Sequence, residues 1–302
     1  GETSVKLSNL TANIPQPVSL RIPGIDKQPA IITLTFTLPG KAPRSTEFLY
    51  SANPALYFAP ETASPYRARI PKKVKPELLE GRDLHLQPHQ GLSIFYGAGI
   101  WHELNRLPEI FTAIDPQATV KTSYFASGVL GPELTVQPQL AEDLLGYDLV
   151  VLNNVGANAL GEAGEIAVDQ YVQAGGSLLI CGGLYTLGRG RFNESPLAAA
   201  LPIVPGGFFD IEKMPKFRPI SDAKLGAVQW IQRPQSVKPG AQVLLTVDGK
   251  PLLVTGRYGK GQVAVWLGTP MGTPPKNLAP YWESPTWFAY MKELVRTLTT
   301  GK

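Results

Sequence analysis

Apolar and polar positions alternate with period two in the first part of the chain. In Ile32-Thr33-Leu34-Thr35-Phe36-Thr37-Leu38 the alternation is strict. It puts Ile32, Leu34, Phe36 and Leu38 on one face of a half-buried strand, and Pro39-Gly40 ends it. Val18-Ser19-Leu20-Arg21-Ile22 alternates too, before Pro23-Gly24, and Phe48-Leu49-Tyr50 and Leu56-Tyr57-Phe58 are shorter strand candidates. No helical period occurs here. Residues 1–88 therefore read as a β-rich N-terminal region that ends in a Pro/Lys linker from about 65 to 88.

The pattern changes at Gly91. Leu92-Ser93-Ile94-Phe95-Tyr96 is a short, mostly apolar strand closed by Gly97-Ala98-Gly99. Leu104, Leu107, Ile110, Phe111 and Ile114 then follow at spacings of three and four, the period of a helix, with a kink or restart expected at Pro108. Thr119–Tyr124 is a second strand, and Leu140–Leu145 a short helix. Tyr147-Asp148-Leu149-Val150-Val151-Leu152 is apolar on both faces after Asp148, as a buried parallel strand must be. After a loop from Asn153 to Asn158, Ala163, Ile166, Ala167, Tyr171 and Ala174 form the apolar stripe of a helix. Glu162, Glu165, Asp169 and Gln173 lie on its opposite face, and Gly175-Gly176 caps it. Ser177-Leu178-Leu179-Ile180-Cys181 is another buried strand, broken by Gly182-Gly183. Strand, helix, strand with short loops is a βαβ unit.

The last third turns antiparallel. Val243–Val247, an Asp248-Gly249 turn, Leu252–Tyr258, a Gly259-Lys260-Gly261 turn and Gln262–Leu267 form a meander. A final helix starts at Ser284-Pro285, an N-cap serine with proline in the first turn, and its apolar stripe is Phe288, Met291, Leu294, Val295 and Leu298. The fold class is α/β: an open, mostly parallel, flavodoxin-like sheet with an antiparallel C-terminal meander in residues 89–302, and the β-rich appendage in front of it.

Composition narrows the chemistry. Charged residues make up 17% of the 302, against about 25% in an average soluble domain. Thirty glycines and 29 prolines make the chain turn-rich without a short repeat. A single cysteine excludes an intramolecular disulfide and a cysteine-cluster metal site. His85 and His89 have metal-ligand spacing, but Pro88 stands between them and no further ligand follows nearby, so no metal and no cofactor is expected. The net charge of +4 is a weak bias. The densest basic run, Arg67, Arg69, Lys72, Lys73, Lys75 and Arg82, is broken by prolines and diluted by Glu77 and Glu80. It reads as a solvated linker, and no nucleic-acid partner is expected. No apolar segment of membrane-spanning length occurs, so no transmembrane segment is expected. Low charge, basic pI and one cysteine lean towards an extracytoplasmic, periplasmic or secreted protein, its leader removed.

The stretch from 146 to 204 carries a resemblance. Tyr147–Leu152 resembles the strand that leads to the oxyanion loop in the class I glutamine amidotransferase-like superfamily. Gly175-Gly176-Ser177-Leu178-Leu179-Ile180-Cys181-Gly182-Gly183 resembles the strand and elbow where that superfamily keeps its nucleophile. Gly188-Arg189-Gly190-Arg191-Phe192, with Ser195-Pro196-Leu197 and Leu201-Pro202-Ile203, looks like the amidotransferase-like domains of large bacterial surface and envelope proteins. Pro251–Val254 with Gly256–Val263 resembles the C-terminal hairpin those domains share with the trehalose-utilisation-type branch. The similarity spans roughly 90 to 300.

The resemblance implies a cysteine on a tight strand-to-helix turn, in the pattern Gly-x-Cys-x-Gly, and a histidine base late in the chain. Cys181 stands at the nucleophile position and Gly183 matches the second glycine, but Leu179 replaces the first. Where the family keeps its histidine, this chain reads Leu267-Gly268-Thr269-Pro270, and His102 is its last histidine. His102 follows the first strand of the α/β part and could reach the carboxyl edge of the sheet. Cys181 is then either a nucleophile activated by Arg189 or Arg191, or a small buried hydrophobe that closes a strand. Gly182, Gly183, Gly188 and Gly190 read as a flexible loop that could offer N–H groups to an anion, or simply as a wide turn. Asn153, Asn154, Gly182, Gly183, Arg189 and Arg191 are the candidate ligand-binding residues. Tyr281, Trp282, Trp287 and Phe288 form either an aromatic groove or core. The expected role is a non-catalytic amidotransferase-like domain that serves binding or assembly in the cell envelope, with a small molecule or a protein as partner. The alternatives are a Cys181-dependent hydrolase or amidotransferase-like enzyme, and a carbohydrate-related protein of the trehalose-utilisation type.

Overall fold

The computed structural model describes residues 30–37, 39–40, 43–50, 84–125, 138 and 140–300. The strands expected at Val18–Ile22 and Leu56–Phe58, and the basic run from Arg67 to Arg82, lie outside them. The chain divides into two compact units, Gly1–Val74 and Lys75–Lys302. In the first, β1 (Ala30–Phe36) pairs antiparallel with β2 (Arg44–Tyr50), Ala30 opposite Tyr50 and Phe36 opposite Arg44. Thr33 and Thr35 are exposed, as the alternation requires.

The second unit is built on a seven-stranded sheet. Its strands are β3 (Ser93–Ala98), β4 (Thr119–Tyr124), β5 (Leu149–Asn153), β6 (Ser177–Cys181), β11 (Gln242–Val247), β12 (Lys250–Tyr258) and β13 (Gly261–Trp266). The order across the sheet is β11-β12-β13-β6-β5-β3-β4. β13, β6, β5, β3 and β4 run parallel, and β12 and β11 return antiparallel to them. The mixed α/β sheet with its antiparallel C-terminal strands is the fold class expected from the pattern.

Both faces of the parallel part are covered, which is why β5 and β6 are apolar at successive positions. Tyr96, Leu149, Val151, Leu179, Cys181 and Trp266 point to one face. There they meet α1 (Leu107–Ile114) and α3 (Pro285–Thr300) through Ile110, Phe111, Trp287, Met291 and Val295. Phe95, Val150, Leu152, Leu178, Ile180 and Val265 point to the other face and meet α2 (Ala157–Gln173) through Val168, Tyr171 and Val172. Each fully buried large apolar side chain contributes about 1.5–3 kcal/mol. Of the C-terminal aromatics, Tyr281 and Trp287 are buried in the core with Trp266, the Trp266 and Tyr281 centroids 4.8 Å apart, while Trp282 and Phe288 are half-buried against it.

Four local expectations change. The helix from Leu104 is a 3-10 turn at His102–Asn105, a left-handed Arg106 (φ 48°) and then α1, with Pro108 in its first turn. The proline restarts the helix because the first turn needs no N–H there. α2 begins earlier than its apolar stripe suggests, at Ala157, and Gly161 (φ 67°, ψ 166°) breaks it. A second, three-stranded sheet, ordered β14-β9-β8, is not legible from alternation. It consists of β8 (Ile211–Pro219), β9 (Ala227–Gln232) and β14 (Gly268–Thr269). β8 carries Pro215 inside a register shift between Lys213 and Arg218, on the edge of that sheet where proline is tolerated. A two-residue pair, β7 (Ile203–Val204) with β10 (Ser236–Val237), completes the strands.

The fourth change concerns the polar stripe of α2, whose middle is buried while Gln173 at its end stays exposed. Glu165 and Asp169 are 2% and 5% exposed. Short 3-10 turns at Phe192–Glu194 and Pro196–Ala198 fold over this stripe, and Ser195 Oγ donates to Glu165 Oε2 at 2.7 Å. Burial pushes the Glu165 carboxyl up to about 7. The native state therefore keeps a proton that the unfolded chain releases near its ordinary value of 4.5. Stability falls as pH rises between those values and levels off above the higher one. Urea denaturation at pH 5 and pH 8 checks this. We expect the wild type to lose about 2 kcal/mol through this group on going to pH 8. Glu165→Gln should lose less over the same interval, and an unchanged pH dependence in the variant would contradict the assignment.

Candidate functional site

The chain leaves β3, passes to β4 on one side, and crosses back to β5 on the other. That reversal opens a crevice outside the carboxyl ends of β3 and β5, where open α/β sheets bind ligands. Ala98 and Asn153 are paired at the two strand ends, and Gly99 N–H donates to the Asn153 carbonyl at 2.9 Å. A Cβ on Gly99 would lie 2.0 Å from the Asn154 carbonyl oxygen, so the two chains approach this closely only because residue 99 is glycine.

Asn153 organises the buried side of the crevice. Its Nδ2 donates to Tyr96 Oη and to the His102 carbonyl, both at 2.9 Å. Its Oδ1 accepts from Asn105 Nδ2 at 2.8 Å, and Tyr281 Oη donates to Asn105 Oδ1 at 3.3 Å. Tyr96 Oη lies 3.2 Å from His102 Nδ1. Burial raises the Tyr96 phenol well above its ordinary value, against the opposing bond from Asn153. Burial lowers His102, with Glu103 pulling the other way from 3.9 Å, so the imidazole is held towards its neutral form.

Asn154 ties the next loop down. Its Nδ2 donates to the Ile100 carbonyl at 2.5 Å, and its Oδ1 accepts from Tyr185 N–H at 2.8 Å. Both asparagines named from the sequence thus have their amides committed to protein partners, and they act as struts of the crevice. The glycine N–H groups are committed as well. Gly182 donates to the Trp266 carbonyl, Gly183 to Gln232 Oε1, Gly188 to Asp210 Oδ2 and Gly190 to the Thr186 carbonyl. The loop after β6 is a packed series of turns whose glycine amides are already bonded within the protein.

Cys181 is fully buried in the core cluster on the α1/α3 face. Burial alone pushes its thiol up to about 12. β5 stands between the strand that ends in Cys181 and the strand that leads to His102. Among the described residues no hydrogen bond or ion pair joins Cys181 to a histidine; Tyr96, on the same face, bonds His102. Arg191 pairs with Glu194 at 3.2 Å, and Arg189 stacks over Tyr185 and Phe208.

Exposed aromatic residues that no sequence pattern marks stand at this edge. Trp101 is 43% exposed and Tyr124 49%; half-buried His102 follows Trp101 in the chain, and its ring lies 5.7 Å from that of Tyr124. Trp101 sits in left-handed backbone (φ 60°), a conformation that strains a bulky side chain. It is not alone. Trp101 and Arg106 follow β3, Asn154 follows β5, and Leu187 and Arg191 follow β6. Among the described residues the sixth left-handed non-glycine, Asp248, lies in the hairpin turn between β11 and β12. Strained backbone thus gathers at the carboxyl edge. The local pattern gave one usable signal, a histidine placed just past the carboxyl end of the first strand.

The sheet order and its antiparallel return allow comparison with known proteins. No protein-family model and no curated protein matches the sequence. Solved structures do. Cytoplasmic protein STM1381 from Salmonella typhimurium LT2 matches 69% of this chain over 100% of its own, at 17% identity and a TM-score of 0.55. Cytoplasmic protein STM3548 from Salmonella typhimurium matches 68% over 98% of its own, at 16% identity and 0.52. A ThuA-like protein from Parabacteroides merdae ATCC 43184 matches 70% over 90% of its own, at 13% identity and 0.46. The likeness is one of fold. It spans about two thirds of the chain.

The Asn153 network yields a prediction. Asn153→Ala takes one hydrogen-bond partner from each of Tyr96 Oη, the His102 carbonyl and Asn105 Nδ2 in a buried setting. It should destabilise the protein by about 2–4 kcal/mol in urea denaturation. A cost below about 0.5 kcal/mol, the size of an ordinary surface change, would contradict the network's role.

Proposed function

We propose that this chain is a binding domain on an amidotransferase-like scaffold, without that superfamily's chemistry, and that it takes a small molecule in the crevice at the carboxyl edge of its sheet. One observation carries the reading: an exposed tryptophan, Trp101, is held in strained backbone at the rim of the switch-point crevice. Strain of this kind persists where the surroundings over-determine it, and it concentrates at functional sites. The sealed Cys181 and the absence of a histidine late in the chain support the non-catalytic side of the proposal.

A second reading, a carbohydrate ligand, is favoured by Trp101 and Tyr124 together. Exposed aromatic faces near a half-buried polar group present an apolar wall and a hydrogen-bonding partner to a sugar ring.

The test combines a thermal-shift screen of mono- and disaccharides and other metabolites with the variant Trp101→Gly. The substitution relieves the left-handed strain while removing the ring. Tm should stay within about 2–4 °C of wild type, the change that 1 kcal/mol brings for a chain of this size. Stabilisation by any ligand found should disappear. Stabilisation that survives in the variant would move the site elsewhere. Glutamine hydrolysis should be absent, and ammonia release that vanishes in Cys181→Ala would overturn the non-catalytic reading.

A further inference from the structure

We infer that Arg189 forms the anion-recognising corner of this crevice, so that its ligand is a small organic anion with a carboxylate or phosphate group on an apolar body. The inference rests on the carboxyl-edge reading and adds the ligand's charge and shape.

Three observations converge on it. First, Arg189 is exposed and, among the described residues, no carboxylate pairs with it and its guanidinium makes no hydrogen bond. The other arginines of this region are engaged, Arg191 with Glu194 and Arg233 with Glu212. Second, the guanidinium is fixed in place. It lies over the Tyr185 ring at 5.1 Å and near the Phe208 ring at 5.8 Å. Stacking on rings holds a guanidinium while leaving its N–H edge free for bidentate bonding to a carboxylate or phosphate.

The backbone beneath it is fixed too. A Cβ on Gly188 would lie 2.0 Å from the Gly207 carbonyl oxygen, and one on Gly190 2.6 Å from Gly156 Cα. The turn that presents Arg189 is therefore wedged between the loop before β8 and the start of α2. Left-handed Leu187 and Arg191 flank it. Ordering a long flexible side chain is one of the costs of binding, and here that cost is already met by the fold.

Third, an apolar wall stands beside the charge. Phe209 is 72% exposed and its ring lies 4.9 Å from that of Phe208. This corner is tied to the backbone next to Trp101. The Asn154 side chain bonds Ile100, next to Trp101, on one side and Tyr185 on the other, so a single amide separates the two rims. A free guanidinium flanked by exposed aromatic rings selects for a negative group attached to something apolar. A neutral ligand would leave the guanidinium unpaired.

The experiment follows backbone amide shifts by NMR as benzoate, phenyl phosphate or neutral benzamide is titrated into the full chain. Arg189→Gln and Arg189→Lys serve as variants, the second as a charge-retaining control should the first fold poorly. We expect saturable shifts at Tyr185–Phe192 and Phe208–Asp210 with the two anions. Benzamide should bind at least tenfold more weakly. Arg189→Gln should weaken anion binding at least tenfold, and Arg189→Lys less. Equal binding of benzamide, or anion binding unchanged in Arg189→Gln, overturns the inference. If all three probes shift only Ile100–Glu103 and Tyr124, the anion corner is wrong and the carboxyl-edge reading stands. If none shifts either rim, both fall.

Discussion

Asn153 ends a strand that has no exposed side chain, and every hydrogen bond its amide makes must come from the protein. An unpaired amide there would cost about 1–3 kcal/mol for each group. The solution is a chain of polar groups, Tyr96, His102, Asn105 and Tyr281, drawn from β3, the turn after it and the segment before α3. Satisfying that one amide fixes where the first loop of the sheet goes. It holds the His102 carbonyl, and so sets the position from which His102 and Trp101 face the crevice. Asn154 does the same for the loop after β6, through Ile100 and Tyr185. Two adjacent asparagines thus convert the end of a buried strand into the frame of a candidate site.

The frame is closed by contacts that only small residues allow. At Gly99, Gly188 and Gly190 a Cβ would fall within 2.0–2.6 Å of backbone atoms. Such approaches, together with left-handed backbone at Trp101, Asn154, Leu187 and Arg191, are costly locally. They are offset by the packed core beneath them, where both faces of the parallel sheet are covered. The rim is in this sense preorganised, and the exposed groups on it are held rather than loose.

Much of the scaffold was legible in the sequence because its signals are local. Leu149–Leu152 and Leu178–Cys181 are apolar on both faces, which only a doubly covered strand explains, and Ser284-Pro285 marks the start of α3. Strand order was not legible, since it depends on which buried faces fit together. Nor was the small β8–β9–β14 sheet, whose edge strand contains a proline and a register shift. The α2 stripe misled for a related reason. Glu165 and Asp169 match a solvated face by period, yet both are buried, Glu165 beneath the turns at 192–198 and Asp169 beside Gln173 and Tyr258. At the site, the named residues sit at the carboxyl edge as placed, but several serve the frame. Asn153 and Asn154 look inward, and the glycine amides are already bonded. Trp101 and Tyr124 escaped notice because an exposed aromatic carries no periodic signature.

The central claim is that the one cysteine is a sealed core residue and the site lies at the rim above it. Burial pushes its thiol up to about 12, so at pH 7 the sulfur stays protonated and unreactive. Labelling of native protein by an aromatic disulfide reagent, followed against urea concentration at pH 7, reads this directly. If the claim holds, Cys181 reacts only through opening of the fold, at a rate that rises with urea and merges with global unfolding. Stoichiometric labelling within seconds in the absence of urea would contradict it, and would return Cys181 to the surface as a reactive group.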